Sequence, residues 1–490
     1  MMTNLPFSWI EISLLAAFFG AIWVFFVDNT AVARRRALIC SALAFIFSAA
    51  AWAEFAFPGG SGTAGGFRAL EPLVGAALGI DGLNAPLLPL VSLLFLVTTA
   101  ATLRTKIRRF SFARTLLLEV IFLLTLCARA PWAVILLLGL GALPVAKEMR
   151  TRGRSVRVFS VHLGASVLLL TGGWLLISFR ESFTAGWLGW GYAMVAAGIA
   201  IRSGLVPAHC WVVDLFENAA LGTSLVAMLP LVGVYAATRL LLPGAPETVL
   251  LVLTYLAAVS ALYSAAMCAV QADARLFVCH LLLSQSSLVL AGIVLSTPLA
   301  MTAGLVLWLS VPLSVMGLGL TLRSLEARTG RLSLKEFQGL HVHTPTLAAL
   351  FLITGLAAAG FPGTLAFFGL EMLTDAATRS SNTIGVLVVL SATLGGIAVL
   401  RAYGKLFLGA CHRSTVNLGI RSVELAALLV LVALLVGGTL WLPSGVSARR
   451  HAAEELIDFR DQQTRRGAWD RNAKMLERDH PAAQVPAVEE

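Results

Sequence analysis

The chain has 490 residues, of which 58% are hydrophobic and only 13% charged, and it carries a formal net charge of +10. Soluble domains carry about 25% charged residues, so this composition excludes an ordinary soluble globule and points to a chain that crosses the bilayer many times. The excess of positive charge does not mark a nucleic-acid binder, because the basic residues stand in short clusters between apolar runs, as in loops held on the cytoplasmic side of a membrane.

A span across a ~30 Å hydrocarbon core needs about 20 apolar residues. Segments of that kind fall near 7–28, 36–56, 82–102, 112–128, 130–147, 157–178 and 184–205, and then near 221–241, 247–268, 274–296, 299–322, 344–376, 383–408 and 422–442. These fourteen runs are too long and too evenly apolar for barrel strands, so the expected fold is an all-α polytopic membrane protein. The first run follows Thr3-Asn4-Leu5-Pro6, with no basic leader and no small-residue cleavage site, and reads as a retained span.

Charge sets the expected orientation. Arg34-Arg35-Arg36 follow the first span; Arg104, Lys106, Arg108 and Arg109 follow the third. Lys147, Arg150, Arg152, Arg154 and Arg157 follow the fifth, and Arg323, Arg328, Arg331 and Lys335 follow the eleventh. All are odd-to-even connections, which places those loops in the cytoplasm and the N-terminus outside. The even-to-odd connections, such as 242–246, are poor in Lys and Arg. After Pro443-Ser444-Gly445 the chain turns polar with mixed charge, and an exposed helix is expected near 447–478, on the outer side by parity.

The six cysteines, Cys40, Cys127, Cys210, Cys268, Cys279 and Cys411, show no metal-ligand spacing and read as buried thiols. No zinc or iron–sulfur centre and no bound cofactor are expected.

Two prolines interrupt apolar runs. Pro207 lies in "RSGLVPAHCWVVDLFENA" (202–219), and Pro362 lies in "AAAGFPGTLAFFGLEML" (357–373). Paired broken helices free backbone groups near the midplane, where transporters place their sites, although prolines also kink many membrane helices. The breaks lie five spans apart, which suggests two five-helix repeats. Beside the first break stand Arg202, His209, Asp214 and Glu217; Glu371 follows the second, Glu119 lies in span four, and Lys405 closes span thirteen. Intramembrane ionisable residues mark ion paths by default, so these seven are the candidate path residues. Arg202 has three readings: it snorkels to the cytoplasmic interface, it pins the broken helix through a carboxylate (Asp214, Glu217, Glu119 or Glu371), or it forms an anion or proton site. Several other residues have a plainer reading too. His209 bonds a freed carbonyl, His280 packs, Lys405 and Arg401 snorkel, and Trp187, Trp190, Trp211 and Trp441 form interfacial belts. His162 is a lone polar residue in span six.

At these residues the chain resembles the antiporter-like membrane subunits of complex I (NADH:quinone oxidoreductase). "RSGLVPAHCWVVDLFENA" is similar to the family's K-S-A-x-x-P-x-H-x-W-L-P-D-A segment, "QADARLFVCHLLLSQSS" (271–287) to D-x-K-R-x-x-A-Y-S-S-x-S-H/Q, and "GFPGTLAFFGLE" (360–371) to G-x-P-G-x-x-x-F-x-x-E. "GIDGLNAPLLPL" (79–90) and "LRAYGKLFLG" (400–409) resemble stretches at matching positions. Related subunits occur in Mrp sodium/proton antiporters, membrane-bound hydrogenases and inorganic-carbon uptake systems. The resemblance implies about fourteen helices, two inverted five-helix repeats, two broken helices and proton translocation without a cofactor. It divides the chain into N-terminal helices (1–110), an antiporter-like core (111–410), a last span (411–442) and a polar tail (443–490).

The family's buried relay falls on altered positions. Its span-five glutamate falls at Gly139, its span-seven lysine at Arg202, its span-eight lysine at Leu231, its span-eleven histidine near Val311 and its span-twelve group at Leu370, beside Glu371. A buried lysine can lose its proton near neutral pH, whereas arginine stays charged and leucine and valine carry no proton. The resemblance therefore implies a divergent, proton-translocation-type subunit, not an enzyme alone, in a complex I-like or hydrogenase assembly. Its expected partners are other membrane and peripheral subunits and the lipid bilayer. The alternatives are the membrane subunit of a cation-coupled inorganic-carbon or ion uptake system, and a non-conducting scaffold.

Overall fold

The computed structural model describes residues 7–56, 67–69, 75–102, 110–179, 185–227, 229–409, 419–440 and 442–479. Arg104, Lys106, Arg108, Arg109, Cys411 and Trp441 lie outside them. The regular elements are helical. In chain order they are α1 (Trp9–Phe25), α2 (Thr30–Ala56), α3 (Leu87–Ala100), α4 (Phe112–Cys127), α5 (Pro131–Thr151), α6 (Arg157–Ser178) and α7 (Ala185–Arg202). Then come the short α8 (Cys210–Asn218) and α9 (Leu221–Ala227), α10 (Leu229–Ala236) with a π-turn at Ala237–Leu241, α11 (Glu247–Val270), α12 (Ala274–Val294) and α13 (Pro298–Thr329). The series closes with α14 (Pro345–Ala358), α15 (Leu365–Ser380), α16 (Asn382–Phe407), α17 (Ser422–Gly437) and α18 (Leu442–Asp479).

Eight of these stretches are long and apolar enough to cross a membrane, and shorter apolar helices stand at α1, α3, α14 and α17. In lipid each backbone N–H and C=O must pair within its own segment, which is why apolar runs become helices here. Local chemistry sets several ends. Ser8 and Glu11 form a reciprocal cap on α1, with Ser8 N donating to Glu11 Oε2 at 2.7 Å. Asp273 Oδ1 accepts from Arg275 N at 2.8 Å and caps α12. Thr297 caps α13, with Pro298 in its first turn.

α12 and α13 are buried over almost their whole length and form the centre of the bundle, whereas α2 and α6 bury only a minor part of their surface. Phe18, Phe19, Trp23, Leu168 and Trp190 point outward, as lipid-facing side chains do.

The run 344–376 is two helices, α14 and α15, interrupted around Pro362 as the sequence predicts. Other expectations need correction. α13 extends to Thr329, so Arg323 and Arg328 are not loop cations: both lie inside the helix and are largely buried. Pro443 does not end a helix but stands in the first turn of α18, where its missing N–H costs nothing. Nor is α18 simply an exposed helix. It packs along α13, and Arg449, Ala452 and Ala453 are buried. A Cβ on Gly82 would lie 3.3 Å from Glu455 Oε2. The tail therefore lies beside the 79–86 loop.

Candidate ion-path site at two helix breaks

The first break begins where α7 ends. The freed carbonyl of Ile201 accepts from Trp211 Nε1 at 2.8 Å, and Leu205 N returns to Ala200 O at 2.9 Å. Gly204 takes φ +66°, and a Cβ there would lie 2.8 Å from Leu283 Cδ2 and 2.9 Å from Val212 Cγ2, so glycine is required by both backbone and space. The Val206–Pro207 peptide is cis, and Val206 N donates to Ser260 Oγ at 3.0 Å. His209 then precedes α8, its ring 5.3 Å from that of Tyr263 and 6.3 Å from that of His280. Trp211 is fully buried, so it is a strut of the break and not part of an interfacial belt.

Arg202 is 1% exposed, which overturns the interfacial reading. Among the described residues it forms no ion pair, and its Nε and Nη1 have no hydrogen-bond partner. The carboxylate-pinned reading therefore fails as well. Asp214 sits on α8 and accepts from Asn218 Nδ2 at 2.8 Å. Glu119 is buried on α4 and accepts from Ser41 Oγ at 3.1 Å, tying α4 to α2. Glu217 and Glu371 are exposed. What the fold does gather at the break is a set of buried polar atoms without protein partners: Ser203 Oγ, His209 Nδ1, Ser264 Oγ, His280 Nδ1 and Ser284 Oγ. They lie on the break itself and on the facing α11 and α12. Groups of this kind are suited to hold water in a polar cavity. His280 is thus part of the polar wall rather than only a packing residue.

The second break separates α14 from α15. Phe361 N returns to Leu356 O at 3.0 Å, and Gly360 takes φ +78°. Pro362 is exposed, and Thr364 Oγ1 donates to Phe361 O at 2.7 Å before α15 begins. Lys405, at the end of α16, is half-buried with Nζ 3.9 Å from the Phe337 ring centroid, and Arg401 donates to Gln271 O at 3.1 Å. His162 Nδ1 lies 2.9 Å from Val158 O, within its own helix. Leu231 and Val311 are buried apolar residues. No set of His, Cys, Asp and Glu side chains able to hold a metal occurs among the described residues.

Four buried charge contacts escaped sequence reading. Glu148, four residues after Pro144, accepts from Thr223 Oγ1 at 2.6 Å, Ala220 N at 3.1 Å and Arg152 Nε at 3.1 Å, joining α5 to α9. Arg323 donates to Thr98 O at 3.1 Å and Thr102 Oγ1 at 2.9 Å, and lies 5.0 Å from the Phe110 ring. Arg328 pairs with Glu424 at 2.9 Å, joining α13 to α17. Arg239, in the π-turn, pairs with Asp81 at 2.5 Å and bonds Tyr235 Oη at 3.0 Å. The signal available was an acidic or basic residue at the edge of an apolar run; its partner was not legible.

The described residues form a helical bundle with two interrupted helices, and the first break carries a buried cation, Arg202. Residues 155–395 match the family model described as NADH:quinone oxidoreductase/Mrp antiporter, transmembrane. Over that stretch, just under half of its length, the chain is similar to this antiporter-like membrane-subunit family. It is 31% identical over 258 residues to NADH-quinone oxidoreductase subunit 13 of Thermus thermophilus, covering 51% of this chain and 54% of that one. The chain spans about half the length of the curated relatives it matches. The fold is that of a chain of respiratory complex I from Thermus thermophilus (TM-score 0.82, 23% identity, 92% of this chain and 99% of that chain). It is also that of a chain of the Mrp complex from Dietzia sp. DQ12-45-1b (TM-score 0.77, 17% identity, 93% and 99%).

Proposed function

We propose that this protein is an antiporter-like membrane subunit of a complex I-type assembly, with a hydrated polar site at the first helix break and no complete proton path of its own. The observation that carries this reading is Arg202: a permanent cation, buried at the break, without a carboxylate partner among the described residues. A proton relay needs a group that gains and loses a proton near neutral pH, and arginine does not. Beyond it, Leu231 and Val311 put apolar side chains where the family resemblance would place proton carriers. A fixed charge can still orient water and hold off cations, so Arg202, His209 and His280 form a polar gate rather than a switch. Asp214, Glu217, Glu119, Glu371 and Lys405 play no part in that gate. The resemblance to complex I subunits supports membrane and peripheral partner subunits.

Two measurements test the reading. Affinity purification of the tagged chain in mild detergent is expected to bring down other membrane and redox subunits; a large soluble zinc protein instead would point to inorganic-carbon uptake. Proteoliposomes holding the chain alone, with a pH-sensitive dye inside, are expected to relax an imposed pH gradient no faster than empty vesicles. Fast uptake abolished by Arg202→Ala would overturn the proposal.

A further inference from the structure

Away from the breaks, the fold brings together ends of helices that are far apart in sequence. A cavity of about 710 Å³ opens on the arginine-rich side of the bundle. Arg114 from α4, Arg152 and Arg154 from the end of α5, Arg275 from α12 and Arg331 after α13 line it, against one acidic lining residue, Glu217. Every one of these residues belongs to an odd-to-even connection or the helix end beside it, so the face is the one that charge asymmetry assigns to the cytoplasm.

Three of the arginines are held in place by carboxylates. Glu326 grips Arg275 through Nε at 2.8 Å and Nη2 at 2.7 Å. Asp273 holds Arg331 through Nε at 2.6 Å. Glu148 holds Arg152 through Nε at 3.1 Å. Clamped at one edge, a guanidinium is fixed in orientation, which lowers the entropy lost when another acceptor binds. The other two arginines have no ion pair among the described residues. Arg114 Nη1 donates only to the neutral Thr151 Oγ1, at 3.1 Å, and Arg154 is exposed. Walls carrying several oriented guanidiniums, two of them outside any salt bridge among the described residues, suit a compact multivalent anion with oxygen acceptors on several sides.

We propose that this cavity is a binding site for a phosphate group, supplied by an anionic phospholipid headgroup at the membrane surface or by a soluble phosphate. Planar guanidinium forks match phosphate oxygens in pairs, and a cavity at the cytoplasmic membrane boundary is within reach of both sources. The site is separate from the polar gate and does not depend on conduction.

The test uses the full chain in nanodiscs of zwitterionic lipid. One arm titrates inorganic phosphate at low salt and reads the heat of binding; the other adds phosphatidylglycerol to the disc and reads the melting temperature. A saturable response to either ligand is expected, and phosphate alone or lipid alone identifies the source. The double variant Arg114→Gln/Arg154→Gln, which leaves the three ion pairs intact, is expected to bind at least about tenfold more weakly. Arg150→Gln, an exposed charge on the same side, is expected to bind as wild type does. The proposal fails if neither ligand responds or if the double variant binds unchanged. It fails too if Arg150→Gln loses as much as the double variant, which marks a diffuse surface effect. Binding of an acidic peptide through the same arginines, with neither phosphate nor lipid bound, would make the cavity a protein-docking cleft and overturn the phosphate assignment.

Discussion

Replacing Arg202 tests the central physical claim about the first break. Its guanidinium is 1% exposed, and Nε and Nη1 have no hydrogen-bond partner among the described residues. Each buried donor costs about 1–3 kcal/mol to the extent that water held at the break does not pair it, so the wild-type residue carries part of that penalty. Arg202→Leu removes that penalty and strands no carboxylate. The smaller side chain leaves a cavity that takes back part of the gain, so a net stabilisation on the order of 1–3 kcal/mol is expected. Arg202→Lys keeps the charge and shortens the reach, and it should melt below the Leu variant. Thermal unfolding of the intact chain in one detergent, followed by tryptophan emission, gives the order Leu at or above wild type and Lys lowest. If Arg202→Leu instead loses about 3–5 kcal/mol, a buried carboxylate has been left unpaired, and the account of Arg202 as an unpartnered cation is wrong.

The remaining predictions concern contacts that hold the bundle together. Glu424→Gln is expected to cost about 3 kcal/mol, because it leaves Arg328 buried without its counter-charge; equal melting of variant and wild type would show the pair to be dispensable. Gly204→Ala is expected to cost 2 kcal/mol or more, on the order set by positive φ and overpacking, and to loosen the break, seen as faster proteolysis between α7 and α8. Tyr235→Phe removes a hydroxyl lying 2.7 Å from Leu126 O and 2.8 Å from Ala128 O, and about 1–3 kcal/mol of stability should go with it in the same melting assay.

By itself the sequence determined which stretches form apolar helices and where two of them break. In lipid every backbone polar group must pair inside its own segment, so a run of apolar residues of the right length becomes a helix whatever surrounds it. The breaks were local in the same way: Pro207 and Pro362 interrupt the ladder, and Gly204 and Gly360 supply the left-handed turns beside them. The motifs around them carried the family. Charge pairing was of a different kind. Arg328 meets Glu424 across 96 residues and Arg239 meets Asp81 across 158, and Glu148 turns from the end of α5 to α9. Nothing in the spacing of those residues marks them as partners. The same holds for Arg202, whose neighbours in sequence, Asp214 and Glu217, look like counter-ions but are carried away by the turn at Gly204–Pro207. Whether a charge is buried, paired or free depends on which helix faces meet, and that was decided by the packing of α10, α11 and α12 around the break.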